Sequence, residues 1–342
     1  MTGRGGVRSG RLRRLGGSIG RVSVAALLVA GCAGNTGSPQ PSAEATNAPL
    51  SLAISPSATM SPPPTRSPRV TRSPAPATTG HASRVSKVVV FIVENHSLDQ
   101  MRDRMPFTYA LATTYGHATG YTAMTHPSLP NYLAIVSGST QGVTDDRNPE
   151  AHVLRGPTVL GKAVRAGHTA AVYAEGMPEN CALTNGGTRY AVRHNPWTYF
   201  VDERSLCQQY DVALDALPSA TTSGRLPTVS LVIPDLCNDA HDCSLASADA
   251  WLSKQITPLT EGPDWKSGHL AIVVTADEDD RHHGNNVLTL VANPALHGKV
   301  VTEPLNHLSL SRSLSEVSGS APLNQAAGAP SLLSAFGLKT AP

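Results

Sequence analysis

The sequence predicts an α/β fold, a sandwich with a mostly parallel central sheet flanked by helices. Three observations carry this prediction. Short unbroken apolar runs recur at 87–93, 170–173, 228–233, 269–275 and 287–291, the pattern of strands buried on both faces. Helix-like stretches at 129–136, 159–166, 246–256 and 308–317 lie between or after them, and strands alternating with helices favour a parallel sheet. Polar clusters follow four of the runs: Glu94-Asn95-His96, then Glu175, then 235–242, then 277–280. Open α/β sheets bind ligands at the carboxyl ends of their strands, so the four clusters are expected to converge on one site.

The predicted domain starts near Val85 and runs over 85–342. What precedes it is different in kind. Arg4, Arg8, Arg11, Arg13, Arg14 and Arg21 form a basic segment around the start of an apolar stretch at 22–30. That stretch is too short to span a bilayer, and it reads as a signal peptide over 1–32. Its end, Val29-Ala30-Gly31-Cys32, resembles a bacterial lipobox. This implies an exported protein held on the outer face of the cytoplasmic membrane through a lipidated Cys32. Residues 33–84 are dense in Pro, Ser, Thr and Ala, with almost no large apolar residues. Such a composition cannot bury enough surface to fold, and it is expected to act as a disordered tether.

Charge separates along the same boundary. Residues 1–84 hold ten Lys/Arg and one acid, Glu44, which leaves 17 of the 27 basic and 24 of the 25 acidic residues to 85–342. An acidic body excludes nucleic acid as the main partner, because phosphate backbones are held by basic surfaces. Four cysteines follow Cys32: Cys181, Cys207, Cys237 and Cys243. In an exported chain an even number suggests two disulfides. Proximity in sequence favours Cys181–Cys207 and Cys237–Cys243, with a metal site at Cys237 and Cys243 as the rival.

Three segments carry chemistry. Asp277, Glu278, Asp279 and Asp280 are consecutive, and crowded carboxylates call for a cation or a shared proton. With Glu94 and Asn95 they offer oxygen ligands suited to a hard divalent ion. The segment 235–243 places Asp239 and His241 between two cysteines, where each can bind a metal, contact phosphate or move a proton. In Thr125-His126-Pro127-Ser128-Leu129-Pro130-Asn131-Tyr132, Ser128 precedes an apolar helical stretch. It is expected near a helix N-terminus, as a cap, as a nucleophile, or as both. No Gly-x-Ser-x-Gly elbow surrounds it, so a Ser-His-Asp hydrolase triad is not indicated.

Taken in order, these motifs resemble one family. They are Val-Glu-Asn-His-Ser (93–97), Thr-His-Pro-Ser-Leu-Pro-Asn-Tyr-Leu-Ala (125–134), Ala-Glu-Gly-Met-Pro (174–178), His-Asn-Pro-Trp (194–197), Ile-Pro-Asp-Leu-Cys-Asn-Asp-Ala-His-Asp (233–242), Thr-Ala-Asp-Glu-Asp-Asp (275–280) and Asn-His-Leu-Ser-Leu (306–310). The chain resembles the phosphoesterase family of bacterial phospholipases C and secreted acid phosphatases, within the alkaline phosphatase superfamily. The resemblance implies an alkaline-phosphatase-like fold and hydrolysis of a phosphate ester on a small molecule or phospholipid headgroup. It also implies a divalent metal ion held by Glu94, Asn95, Asp277 and Glu278, with Asp239 at a second metal or phosphate position. By the same resemblance Ser128 is the nucleophile, His241 or His307 assists the leaving group, and Asn148 and His194 contact phosphate. The long loops that build a phospholipase headgroup site have no clear match here; a phospholipase C-type phosphodiesterase on the same scaffold is the alternative to a monoesterase. Two further readings are a metal-independent phosphatase with His241 or His194 as nucleophile, and a non-catalytic envelope-binding lipoprotein.

Overall fold

The structure is a computed structural model that describes residues 84–341. The predicted signal peptide and all but the last residue of the predicted tether lie outside the described residues. The strands are β1 (Lys87–Val93), β2 (Gly116–Ala118), β3 (Tyr121–Thr122), β4 (Ala170–Ala174), β5 (Asp211–Ala213), β6 (Val229–Ile233), β7 (Leu270–Ala276), β8 (Thr289–Ala292), β9 (Lys299–Val301) and β10 (Leu305–Asn306). Eight of them form one sheet in the order β5-β4-β6-β1-β7-β8-β2-β9, and β10 pairs with β3 apart from it. From β5 to β7 every pairing is parallel, and β8 runs antiparallel to both its neighbours.

All five predicted runs form strands. Val88 to Val93 are each at most 1% exposed, so neither face of β1 meets water, which is why the run shows no polar alternation. The helices are α1 (Leu98–Arg104), α2 (Pro106–Thr114), α3 (Ser128–Ser137), α4 (Val159–Arg165), α5 (Arg204–Tyr210), α6 (Leu217–Thr222), α7 (Leu245–Glu261), α8 (Pro263–Lys266), α9 (His307–Val317) and α10 (Leu332–Ala335). The four predicted helices are α3, α4, α7 and α9. The expected end of α7 fell before Pro258, which the helix accommodates near its C-terminus. Among the described residues no helix is long and apolar enough to cross a membrane.

Both disulfides expected from sequence proximity are formed, Cys181–Cys207 and Cys237–Cys243. Their sulfurs are spent on each other, which removes the rival metal site at Cys237 and Cys243.

Helix α3 positions the site, and every one of its residues is buried. It ends at Gly138, whose φ of 69° is the left-handed conformation that stops a helix and whose N–H bonds the Ala134 carbonyl. A Cβ added there would lie 2.2 Å from the Leu323 carbonyl oxygen. Gly138→Ala is therefore expected to cost about 2–4 kcal/mol, combining left-handed strain with overpacking. Denaturant unfolding measures it, and a change within about 0.5 kcal/mol, the scale of a neutral surface substitution, contradicts the account.

Candidate active site

The sheet's register brings the acidic clusters together. Val93 of β1 pairs with Ala276 of β7, so Glu94 and Asp277 emerge side by side. Strand β6 flanks β1 on the other side, and its following loop returns Asp239 to the same place, where the Glu94 N–H bonds the Asp239 carbonyl at 2.8 Å. Three of the four predicted clusters thus converge. Glu175 does not join them. Its carboxylate instead accepts from the Asp235 N–H at 3.0 Å, from Asn238 Nδ2 at 3.0 Å and from Trp251 Nε1 at 3.1 Å. It braces the loop that carries Asp239.

Ser128 is the first residue of α3, and Pro127 occupies the cap position, joined to His126 by a cis peptide bond. The expected capping role therefore falls away. The Ser128 hydroxyl, 2% exposed, donates instead to Glu94 Oε2 at 3.0 Å. Tyr132, one turn further along α3, donates its hydroxyl to Glu94 Oε1. Asn131 shapes the turn: its Oδ1 accepts from the Met124 and Thr125 N–H groups, and its Nδ2 donates to the carbonyls of Thr125 and Pro127 and to Glu278 Oε2. This one side chain ties the Ser128 turn to the acidic pair after β7.

The electrostatics of the cluster are strained. Burial, then Asp277 and Asp239, push the Glu94 carboxyl well above its ordinary value. Burial pushes Asp277 and Asp239 up to about 7 each. Burial and the neighbouring Asp277 push Glu278 up to about 9. His194 lies between Glu94 Oε2 at 3.3 Å and Asp239 Oδ2 at 3.2 Å, and burial holds it well below its usual value, hence neutral. Its ring stacks on Tyr132 with centroids 5.2 Å apart. Four buried polar atoms here lack a hydrogen-bond partner: Asn95 Oδ1, Asp239 Oδ2, Asp277 Oδ2 and His194 Nε2. Buried polar groups are rarely left unpaired. Hard oxygen donors, one neutral imidazole and raised carboxyl pKa values together fit a divalent cation. Glu94, His194 and Asp239 present ligand atoms within 4.8 Å of one another.

A pocket of about 270 Å³ opens over Ser128 and is lined by Asn95, Asp146, His241 and Glu278 among others. His241 lies at this pocket as expected, but not as a free proton donor. Its Nδ1 is 2.7 Å from Asp242 Oδ1, and its Nε2 is 3.1 Å from Arg193 Nη2. A guanidinium only donates, so Nε2 is the acceptor and Nδ1 carries the proton. His307 departs further from expectation. It is wholly buried, its Nε2 donates to the Asp277 carbonyl at 2.6 Å, and its Nδ1 accepts from the Tyr121 hydroxyl at 3.0 Å. Burial lowers it to about 4. With both nitrogens occupied and no path to the pocket, it supports Asp277 and does not reach a leaving group. Asn148 is exposed and lines a separate surface cavity with Arg147, Glu150 and Ala151; nothing brings it to Ser128. His194, expected at phosphate, sits among the carboxylates.

Four residues at the site were not expected from the sequence: Arg193, Asp146, His126 and Tyr132. His126 stands 3.0 Å from Glu278 and 3.2 Å from Asp279. Asp146 accepts from the Leu129 N–H at the start of α3, at 2.9 Å. His126 and Tyr132 lie inside the motif that singles out Ser128, and Arg193 immediately precedes another. Asp146 carries no signal beyond being an acid in a polar loop.

A family model described as the Phosphoesterase family matches residues 101–318. The chain belongs to the phosphoesterase family. The reaction class is therefore hydrolysis of a phosphate ester bond, as the sequence motifs implied. Within the phosphoesterases, the chain is 31% identical over 254 residues to a phosphatidylinositol-3-phosphatase of Mycobacterium tuberculosis, covering 73% of this chain and 82% of the relative. It is 27% identical over 214 residues to a phosphate-repressible acid phosphatase of Penicillium chrysogenum, covering 58% and 50%. Among solved structures, the lipoteichoic acid synthase LtaP of Listeria monocytogenes superposes with a TM-score of 0.50 at 8% identity, over 72% of this chain and 76% of that one. This last likeness concerns the fold.

Proposed function

We propose that the protein is a phosphate monoesterase that works through a phosphoserine at Ser128. The observation that carries this reading is the Ser128 hydroxyl, in the lining of a pocket, donating to Glu94 Oε2 within a buried set of mutually repelling acids. Glu94, Asn95, Asp277 and Glu278 would hold a divalent cation, and His194 and Asp239 offer further ligand atoms beside Glu94. When bound, that cation supplies positive charge to the serine oxygen and to a phosphate oxygen.

The chain's own residues do the rest. Tyr132 and Asn131 fix Glu94 and Glu278, so Ser128 meets an acceptor that is already oriented. As the Ser128 Oγ–P bond forms, the hydroxyl proton moves to Glu94 Oε2 and the bond from phosphorus to the leaving oxygen breaks. The leaving alcohol departs toward the open side of the pocket and takes its proton from water there. A second water then attacks phosphorus, Glu94 returns its proton to Oγ as the Oγ–P bond breaks, and phosphate is released.

The substrates in this reading are organic phosphate monoesters, and a phosphoinositide monophosphate, the substrate class in the mycobacterial relative's name, is one of them. The lipobox-like segment before Cys32 supports an exported domain anchored at the membrane surface, within reach of such headgroups. The test compares an aryl phosphate monoester with the corresponding diester, with and without chelator. Expected is a kcat/KM at least about 100-fold higher for the monoester, a gap of about 2.7 kcal/mol in transition-state stabilisation, lost on chelation and restored by a divalent ion. Faster turnover of the diester points to phospholipase-type chemistry and overturns the monoesterase reading.

A further inference from the structure

The site as described is almost entirely acidic, yet its substrate is an anion. Asp146, Glu278, Asp279 and Asp280 all line the pocket over Ser128. A cation among the buried acids neutralises part of that charge but leaves the phosphate's outward oxygens facing carboxylates. Something else must receive them. Arg281 and Arg193 stand at or beside this pocket. Arg281 lines the pocket but is exposed on a loop. Arg193 is different, because its side chain is only 19% exposed.

Arg193 follows Val192, a fully buried residue of the short helix Val192–His194, and it directly precedes His194. Its guanidinium reaches between two pocket-lining side chains: Nη2 lies 3.1 Å from His241 Nε2, and Nε lies 4.0 Å from Asp146 Oδ2. The contact with Asp146 is an ion pair without a hydrogen bond, and His241 takes one N–H. A guanidinium has five donors in a planar fork. Among the described residues, no other acceptor is within hydrogen-bond distance of Arg193. A mostly buried arginine with so many unspent donors is a costly arrangement unless a ligand completes it.

The two partners are themselves fixed. His241 is held by Asp242 through Nδ1 and sits inside the Cys237–Cys243 disulfide loop. Asp146 is held by the Leu129 N–H, one residue from the nucleophile. Arg193 is therefore indexed to both the Ser128 turn and the Asp239 loop. Arg193 thus stands behind two residues that line the pocket, His241 and Asp146, and its charge lowers the proton affinity of Glu94, Asp239 and His194 alike.

We propose that Arg193 is the substrate-binding residue that receives the ionised oxygens of the phosphate, positioned by His241 and Asp146. This rests on the phosphate monoesterase reading and adds to it the source of monoester preference. A monoester offers two ionised oxygens to a bidentate fork, while a diester offers one fewer and an extra substituent in its place. In this assignment His241 orients an arginine and is not the acid for the leaving group.

The test uses the full protein and inorganic phosphate as a competitive inhibitor, together with monoester and diester substrates. Arg193→Ala is expected to raise the inhibition constant of phosphate and the monoester KM by roughly 10–100-fold, the scale of charge-assisted hydrogen bonds. Diester kcat/KM should change much less. Arg193→Lys, which keeps the charge and the stem but loses the fork, should fall between. Added guanidinium ion should restore part of the phosphate affinity of Arg193→Ala. Asp146→Asn should weaken phosphate binding without altering the monoester-to-diester ratio as strongly. Unchanged phosphate inhibition in folded Arg193→Ala, or in folded Arg193→Lys should the alanine variant not fold, overturns the proposal. So does an equal loss on monoester and diester. If instead wild-type protein hydrolyses neither ester, or Ser128→Ala retains activity, the monoesterase reading itself has failed.

Discussion

Ser128→Ala is expected to lower kcat on a phosphate monoester by on the order of 10⁴-fold or more, the scale on which loss of a nucleophile acts. The fold should survive. The hydroxyl makes one hydrogen bond, to Glu94, and its loss is worth about 1 kcal/mol. Glu94 keeps Tyr132 as a partner, and α3 keeps its start because Pro127 holds the cap position. Thermal unfolding and monoester turnover measured on the same preparation separate the two effects. A folded Ser128→Ala protein with near wild-type turnover removes Ser128 from the chemistry and returns attention to His241 and His194. Neither is well placed for attack: the His241 Nε2 lone pair faces Arg193, and His194 is enclosed between two carboxylates.

The second large effect is on stability, and its sign follows from the acids. Asp277 goes from 3.8 to about 7 and Glu278 from 4.5 to about 9 in the folded, cation-free protein, with burial as the leading cause. Between the unfolded and folded values, the folded state holds protons that the unfolded state has released. Stability therefore falls as pH rises across that interval. Cation-free protein is expected to be most stable below about pH 4–5 with respect to these groups. It should lose stability through pH 7 and on toward 9, by at most about 1.4 kcal/mol per pH step for each proton retained only in the folded state. A divalent cation replaces the protons, so adding one should flatten the profile and raise the melting temperature most at the alkaline end. Melting curves of chelated and cation-loaded protein from pH 5 to pH 9 test this. A chelated protein that gains stability toward pH 9 contradicts it, as does a cation that stabilises equally at every pH. Asp277→Asn should remove part of the slope.

The fold was legible because its central strands are buried on both faces. Val88 to Val93 and Leu270 to Ala276 write burial directly into the sequence as unbroken apolar runs. The shorter elements β2, β5 and β9 have three residues each, too few to show any period. Helix α1 has a single buried residue, Met101, so its capping box from Ser97 to Gln100 had no apolar stripe behind it to draw notice. At the site, carboxylates that end adjacent parallel strands were predictable, because register alone joins Glu94 to Asp277. Directions of side chains were not. His307 follows a strand end like the others, yet its ring turns inward to Tyr121 and the Asp277 carbonyl. Glu175 also follows a strand end, but Trp251 and Asn238 claim its carboxylate. Arg193 escaped notice for the opposite reason: a lone arginine reads as surface charge, and only its position between Asp146 and His241 gives it meaning.

The proposed chemistry stands or falls on a covalent phosphoenzyme at Ser128, which can be trapped. Wild-type protein is mixed with an aryl phosphate monoester, quenched in acid during turnover, digested and examined by peptide mass. Expected is one added phosphoryl group on the peptide containing Ser128, absent in Ser128→Ala and absent without substrate. Phosphate on a histidine, or wild-type turnover with an unmodified Ser128 peptide under every quench condition, would contradict it.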